Sequence, residues 1–374
     1  MFAGMNEADS LAGLPVTHET LKLIAEIDEF KGRWDAWKTL APERLLSLRR
    51  VATIESIGSS TRIEGVKLTD KEVGALLSNL QSYAFNSRDE EEVAGYAAAM
   101  DLVFASYADI ALTENHLKQL HAILLQYSGK DEHHRGNYKK SPNRVVAFDS
   151  EGREIGVVFE TSTPFQTPLE MAALAQATRE ALDEGSIHPL LAIAAFVARF
   201  LAIHPFQDGN GRLSRILTTL ALLRAGYAYV PFSSLESVIE ENQDLYYAAL
   251  RKTQRSWQLG ATDWEPWVLF FLRCLKKQKD RLAAKLAREK LLAESLSALA
   301  AHMLDLLKQH GRLTISDLER LTATNRNTLK ARLRQLTQGA PHHPSRSGQS
   351  YLAHAAIRRL SYTGNQLPQA LDLS

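Results

Sequence analysis

Twelve consecutive residues carry most of the groups that a phosphate-transferring site requires: His204-Pro-Phe-Gln-Asp208-Gly209-Asn210-Gly211-Arg212-Leu213-Ser214-Arg215. They lie between two apolar stretches of helical character, 190–203 and 213–225, so the segment reads as a loop running into the N-terminus of a helix. Gly209 and Gly211 let the backbone come close to a ligand, and the free amides and positive dipole end of a helix start favour an anion. Arg212 and Arg215 are three residues apart, share one helix face and can both reach phosphate oxygens. Asp208 offers a hard oxygen ligand for Mg²⁺, and His204 a base that titrates near neutrality. Together they suit phosphoryl or nucleotidyl transfer. A lone histidine or a single GxG would more often be structural, but coincidence is a poor account of this many consistent groups in twelve residues. The chain has no GxxxxGK followed by Ser or Thr, and no GxGxxG after a strand, which excludes the P-loop and Rossmann modes of nucleotide binding.

The elements that must position this loop are mostly helical. Apolar residues recur at helical spacing over 43–58, 91–107, 115–127, 169–184 and 188–203. One region departs from this pattern. Between Arg135 and Thr167, β-branched runs flank Asp149-Ser-Glu-Gly152, which predicts a β-hairpin within 137–160. His133 and His134 lack metal-ligand spacing and read as an exposed loop.

The segment His204 to Arg215 resembles the signature of the Fic family, His-Pro-Phe-x-Asp/Glu-Gly-Asn-Gly/Lys-Arg-x-x-Arg, and agrees at every specified position. The resemblance extends over about residues 40–272, with its specificity in the motif. It implies a mainly α fold: a Fic-type helical core with a β-hairpin flap over the site. It also implies protein adenylylation, in which AMP passes from ATP to a Tyr, Thr or Ser hydroxyl of a target protein or of the enzyme itself. His204 would deprotonate the hydroxyl, and Asp208 would bind Mg²⁺ (or Mn²⁺). Gly209, Asn210 and Gly211 would cradle the phosphates, Arg212 and Arg215 would clamp them, and Leu213 and Ser214 belong to the same ATP-binding stretch. The hairpin at 137–160 stands where the family's flap docks its target by strand addition. Homodimerisation is implied on family grounds alone.

Upstream, Ser60-Thr-Arg-Ile-Glu64-Gly65 resembles the family's inhibitory motif, Ser/Thr-x-x-x-Glu-Gly/Asn. Glu64 would pair with Arg215 and take the place where the γ-phosphate needs that arginine. The same six residues also read as an ordinary helix end with Gly65 at the C′ position. Asn242 and Tyr246 resemble the family's segment beside the adenine, although Tyr246 and Tyr247 read equally as core aromatics.

Beyond a charged helix at 275–290, residues 296–360 form a pattern of their own. An amphipathic helix at 297–308 precedes a short helix marked by Ile315, Leu318 and Leu321, a turn at Thr322–Thr324, and a third helix marked by Leu329, Leu333 and Leu336. With the Pro/Gly/Ser-rich 341–350 as a wing, this resembles a winged helix domain. Arg326, Lys330, Arg332 and Arg334 make the third helix basic, so 325–336 is a candidate DNA contact or, alternatively, part of a docking module. The expected division is 1–110 for an N-terminal helical region with the inhibitory helix, 111–275 for the Fic core, and 276–374 for the linker helix and winged helix domain.

Composition narrows the rest. Of 374 residues, Lys and Arg number 44 against 43 Asp and Glu, so whole-molecule attraction to nucleic acid or to an anionic membrane is excluded. The single cysteine, Cys274, rules out an internal disulfide framework and a cysteine-built metal site. MFAGMNEADS lacks a basic region followed by an apolar run, and the apolar stretch 190–203 is too short to span a bilayer; a cytoplasmic protein without a membrane segment is expected. Alternatives to adenylylation are another phosphate-containing donor, removal of AMP, or a DNA-binding regulator whose core senses nucleotide.

Overall fold

The structure, a computed structural model, describes residues 11, 13–37, 42–80, 85–148, 154–258, 262–295, 298–311 and 313–338. Helices α1 (His18–Trp37), α2 (Pro42–Ile63), α3 (Asp70–Ser78), α4 (Arg88–Ser106) and α5 (Glu114–Leu124) come first. Strands β1 (Arg144–Phe148) and β2 (Glu154–Glu160) follow. Then come α6 (Thr167–Glu184), α7 (Pro189–Ile203), α8 (Asn210–Arg224), α9 (Leu235–Glu240), α10 (Gln243–Gln258) and α11 (Glu265–Ser295). The chain divides into two units, Met1–Ala283 and Ala284–Ser374, and the division falls within α11.

In the first unit α7 and α8 are the central pair, packed on each other, with α6 against α7 and α4 against α8. Every residue of α7 except Pro189 and Arg199 is buried, as is every residue of α8 except Gly211 and Arg224. Proline at the first position and the His188 ring, whose Nδ1 accepts the Leu190 amide at 3.3 Å, start α7. Arg199 is accommodated inside this apolar helix because its guanidinium lies 4.0 Å from the ring centre of Trp257 and 5.3 Å from that of Trp264. Burial pushes its pKa down to about 10.

Between α5 and α6 the two strands pair antiparallel, Arg144 opposite Glu160 and Phe148 opposite Glu154, with register shifts between Val145 and Val146 and between Ala147 and Phe148. The turn expected at Asp149–Gly152 lies outside the described residues.

The second unit contains α12 (Ala298–His310), α13 (Ile315–Thr322) and α14 (Arg326–Gln338). A small core of Met303, Leu306, Leu307, Leu313, Leu318 and Leu329 joins them. Thr314 and Asp317 form a capping box on α13, and Ala323 in the left-handed region ends it. Leu321, one of the residues that mark this helix in the sequence, is 39% exposed: the helix turns it to water while Leu318 faces in. Arg326 and Lys330 are exposed on α14. The wing expected at 341–350 lies outside the described residues. Among the described residues, no helix is long and apolar enough to cross a membrane.

Candidate active site

The loop begins where α7 stops. His204 adopts φ 52°, ψ 60°, a left-handed conformation uncommon for a residue with a side chain, and its amide donates to Phe200 O at 2.9 Å. Its Nδ1 lies 3.2 Å from Leu201 O. A carbonyl can only accept, so Nδ1 carries the hydrogen and Nε2 presents its lone pair. Burial holds the imidazole at a pKa of about 4, with the nearby Lys139 cation working in the same direction. The ring is therefore neutral at pH 7, with the Nε2 lone pair free to accept a proton.

The loop closes on itself through Asn210. Its Oδ1 accepts the Phe206 amide at 2.9 Å and its Nδ2 donates to Phe206 O at 2.8 Å. This side chain thereby ties the loop together, while its backbone amide stands among the first amides of α8. Leu213 is wholly buried, its amide donates to Gly209 O at 2.9 Å, and the Ser214 hydroxyl donates to Gly211 O at 2.7 Å. The groups left for an anion are the first amides of α8, at Asn210, Gly211 and Arg212, which have no carbonyl within the helix to bond. Gly209, the N-cap, sits at φ 79° with a hypothetical Cβ 3.3 Å from Leu124, so both conformation and space call for glycine there.

Asp208 Oδ1 accepts the Gly209 amide at 2.6 Å and Arg212 Nη2 at 3.3 Å, and Oδ2 accepts Arg88 Nη2 at 3.1 Å. Burial opposes its charge, yet Arg212, the Gly209 amide and Arg88 outweigh burial and hold it below the usual carboxylate range. Among the described residues no cluster of three or more His, Cys, Asp or Glu could hold a metal. A single ionised carboxylate beside an anion seat nonetheless fits Mg²⁺, which keeps several waters and takes the remaining oxygens from substrate phosphates.

Glu64 sits on that seat. α2 ends at Ile63, and Val66 N bonds Thr61 O at 3.2 Å around Gly65, which adopts φ 101°. The ordinary helix end is thus present, and the same turn aims Glu64 at α8. The turn delivers Glu64 Oε1 to 2.8 Å from Arg215 Nη2. A Cβ added to Gly211 would lie 2.1 Å from the same oxygen, so the carboxylate rests in the space that Gly211 leaves open. Arg215 is buried, with Nε donating to Ser60 Oγ at 2.7 Å and Nη2 to Ser60 O at 2.8 Å. Its Nη1 has no hydrogen-bond partner among the described residues.

Tyr246 is buried against Trp267 and Phe270, with ring centres 5.8 and 5.9 Å away. Tyr247 beside it is 37% exposed. Asn242 is half-buried and donates from Nδ2 to Val238 O at 2.7 Å.

Three side chains outside the motif fix the loop to the segment that leads into β1. The buried His121 is stacked on Phe206 at 3.8 Å; its Nδ1 accepts the Gly136 amide at 2.9 Å, which leaves Nε2 to donate to Asp208 O at 3.0 Å. Asn143 Nδ2 donates to Phe206 O at 2.9 Å. The buried Lys139 ammonium donates to Asn143 Oδ1 at 2.8 Å, and to Thr161 Oγ1 and Ile203 O at 2.9 Å each, and burial pushes its pKa down to about 8. Replacing Lys139 by methionine keeps the volume but leaves the buried Ile203 O and two partly buried acceptors without this donor. It should destabilise the first unit by about 3 kcal/mol, read as a lower midpoint in denaturant titration, and slow any reaction at His204. An unchanged midpoint would show that water replaces the ammonium.

A helix-to-helix loop thus brings together free amides, two guanidinium groups, an ionised carboxylate and a neutral histidine, a set of groups suited to phosphate. The Fic/DOC family model matches residues 111–222, and the chain carries a Fic/DOC family domain. The chain is 25% identical over 284 residues to Protein adenylyltransferase Fic of Drosophila mojavensis, covering 74% of this chain and 51% of that protein. To the protein of the same name in Drosophila melanogaster it is 26% identical, covering 74% and 52%. It thus spans about half the length of the curated relatives it matches. Among solved structures, a Fic family protein from Desulfovibrio desulfuricans is similar with a TM-score of 0.61 and 25% identity, covering 88% of this chain and 95% of that one. A Fic domain containing signaling protein from Bacteroides thetaiotaomicron gives 0.58 and 26%, covering 71% and 97%.

Proposed function

We propose that this protein transfers AMP from ATP to a hydroxyl group of a protein, and that Glu64 restrains the reaction. The observation that carries the reading is the Glu64 carboxylate resting against Gly211 and Arg215, an anion where a nucleotide phosphate would sit. The curated relatives named protein adenylyltransferase support the choice of ATP and of a protein acceptor.

In this reading His204 Nε2 takes the proton of the incoming hydroxyl, whose oxygen attacks the α-phosphorus. The bond from that phosphorus to the bridging oxygen breaks and pyrophosphate leaves. The imidazolium that forms is stabilised by the Nδ1–H bond to Leu201 O and returns its proton to solvent. The amides of Asn210, Gly211 and Arg212 and the guanidinium groups of Arg212 and Arg215 bind the phosphate charge without having to reorganise. Asp208 would hold Mg²⁺ or Mn²⁺, which when bound supplies positive charge against the phosphate oxygens. The hairpin of β1 and β2 serves as the flap on which an extended target segment docks by strand addition.

The test is a pair of labels. With ATP labelled at the α-phosphate, protein in a cell extract or the chain itself becomes labelled, and with ATP labelled at the γ-phosphate it does not. Label from the γ position alone would make the site a kinase. Label from neither, with ATP bound, would point to another donor.

A further inference from the structure

One cation outside the motif stands on the carboxylate that the proposed reaction uses for its metal. Arg88 opens α4 directly after the Ser87 N-cap. Its Nε donates to Glu92 Oε1 at 2.7 Å and its Nη2 to Asp208 Oδ2 at 3.1 Å. Arg212 completes the circuit, with Nη1 2.7 Å from Glu92 Oε2 and Nη2 3.3 Å from Asp208 Oδ1. Two carboxylates and two guanidinium groups alternate around a closed ring.

The ring is not symmetrical. The side chains of Arg212 and Glu92 are 3% and 9% exposed, whereas those of Arg88 and Asp208 are 47% and 39% exposed. The two oxygens of Asp208 differ as well. Oδ1 is committed to the Gly209 amide and to the buried Arg212, contacts that shape the loop itself. Oδ2 is the oxygen that remains for a metal, and Arg88 occupies it. A divalent ion coordinated at Oδ2 within about 2.1 Å cannot share that approach with a guanidinium nitrogen. Of the two arginines, only Arg88 has solvent to withdraw into.

We propose that Arg88 is a placeholder for the metal cation: it holds Asp208 aimed in the nucleotide-free protein, and gives up Oδ2 when the metal–nucleotide complex enters. The Nε bond to Glu92 is the pivot on which the side chain swings. The inference rests on the reading of Asp208 as the metal ligand. Because the Arg88–Asp208 contact is largely exposed, the competition is mild, and its removal should tighten metal binding about two- to fivefold.

The experiment uses the full chain carrying Glu64→Gly, a non-hydrolysable ATP analogue, and Mn²⁺, with free Mn²⁺ followed by electron paramagnetic resonance. Arg88→Gln should lower the Mn²⁺ dissociation constant by that factor and leave analogue binding in chelator unchanged. Arg88→Met removes the same pair without an amide and should do likewise. Lys130→Gln is the control for long-range charge: Lys130 also depresses the Asp208 pKa through space. Equal tightening by Lys130→Gln, or none by either Arg88 variant, overturns the placeholder. Asp208→Asn separates this from the underlying reading. If it weakens Mn²⁺ binding while the Arg88 variants change nothing, only the placeholder fails; if Mn²⁺ binds unaltered, the assignment of Asp208 as the ligand fails and the placeholder with it.

Discussion

His204→Ala lowers the rate of AMP transfer about a thousandfold, in the middle of the range for removing a general base, and leaves ATP affinity within about twofold. Both follow from where the ring is held. Its Nδ1 proton is committed to Leu201 O, so only Nε2 can act, and no bond joins the ring to the amides or guanidinium groups of the phosphate seat. The pH profile provides an independent readout. The base is active when neutral, and burial holds its pKa at about 4. Transfer should therefore persist as the pH is lowered from 8 to 5 and fall only as it approaches 4, whereas a solvated imidazole would lose activity near 6.5. Initial rates of α-label incorporation from pH 4 to 8, measured in a Glu64→Gly background with and without His204→Ala, decide it. An acid limb near 6.5 would mean that the ring is hydrated in the working enzyme, and a His204→Ala chain that still transfers would end its role as base.

The parts legible in the sequence are those whose chemistry is contiguous. The loop 204–215 could be read because its glycines, arginines, aspartate and histidine follow one another between two helices of clear apolar period. Glu64 could be read because a helix end and a resemblance pointed to the same six residues. The supports of the loop could not. Lys139 is one of two adjacent lysines, and nothing local distinguishes the one that donates to Ile203 O from its exposed neighbour Lys140. His121 lies 87 residues from the Asp208 carbonyl it bonds, and Arg88 lies 120 residues from the Asp208 carboxylate. Such pairings are set by the packing of α4 and α5 on neighbouring elements, and a single sequence carries no record of it. Asn210 has a structural part that its residue type does not announce: its amide closes the tight turn from Phe206, accepting the Phe206 N–H and donating to Phe206 O. Arg199 marked a break in an apolar run, and two tryptophans, one at the end of α10 and one just before α11, help to house it.

Glu64→Gly raises AMP transfer about ten- to a hundredfold over the parent chain. The size follows from what is removed: one charge-assisted hydrogen bond to a buried arginine, worth about 1.5–3 kcal/mol, each 1.4 kcal/mol being tenfold in the population of the open seat. The gain depends on Arg215 staying where it is once its carboxylate partner is gone. Ser60 secures this, since its hydroxyl and carbonyl hold Nε and Nη2 at 2.7 and 2.8 Å independently of Glu64. The freed guanidinium, with Nη1 already lacking a partner among the described residues, then meets the nucleotide phosphate instead. Glu64→Gln distinguishes charge from bulk: if the ion pair is the restraint it should recover much of the gain, and if occupancy of the space at Gly211 is the restraint it should recover little. Ser60→Ala in the Glu64→Gly chain should cancel part of the activation by letting Arg215 turn away. The measurement is the initial rate of α-label incorporation against ATP concentration for the four chains. Equal rates in parent and Glu64→Gly, with ATP bound by both, would show that the contact between Glu64 and Arg215 does not restrain the site.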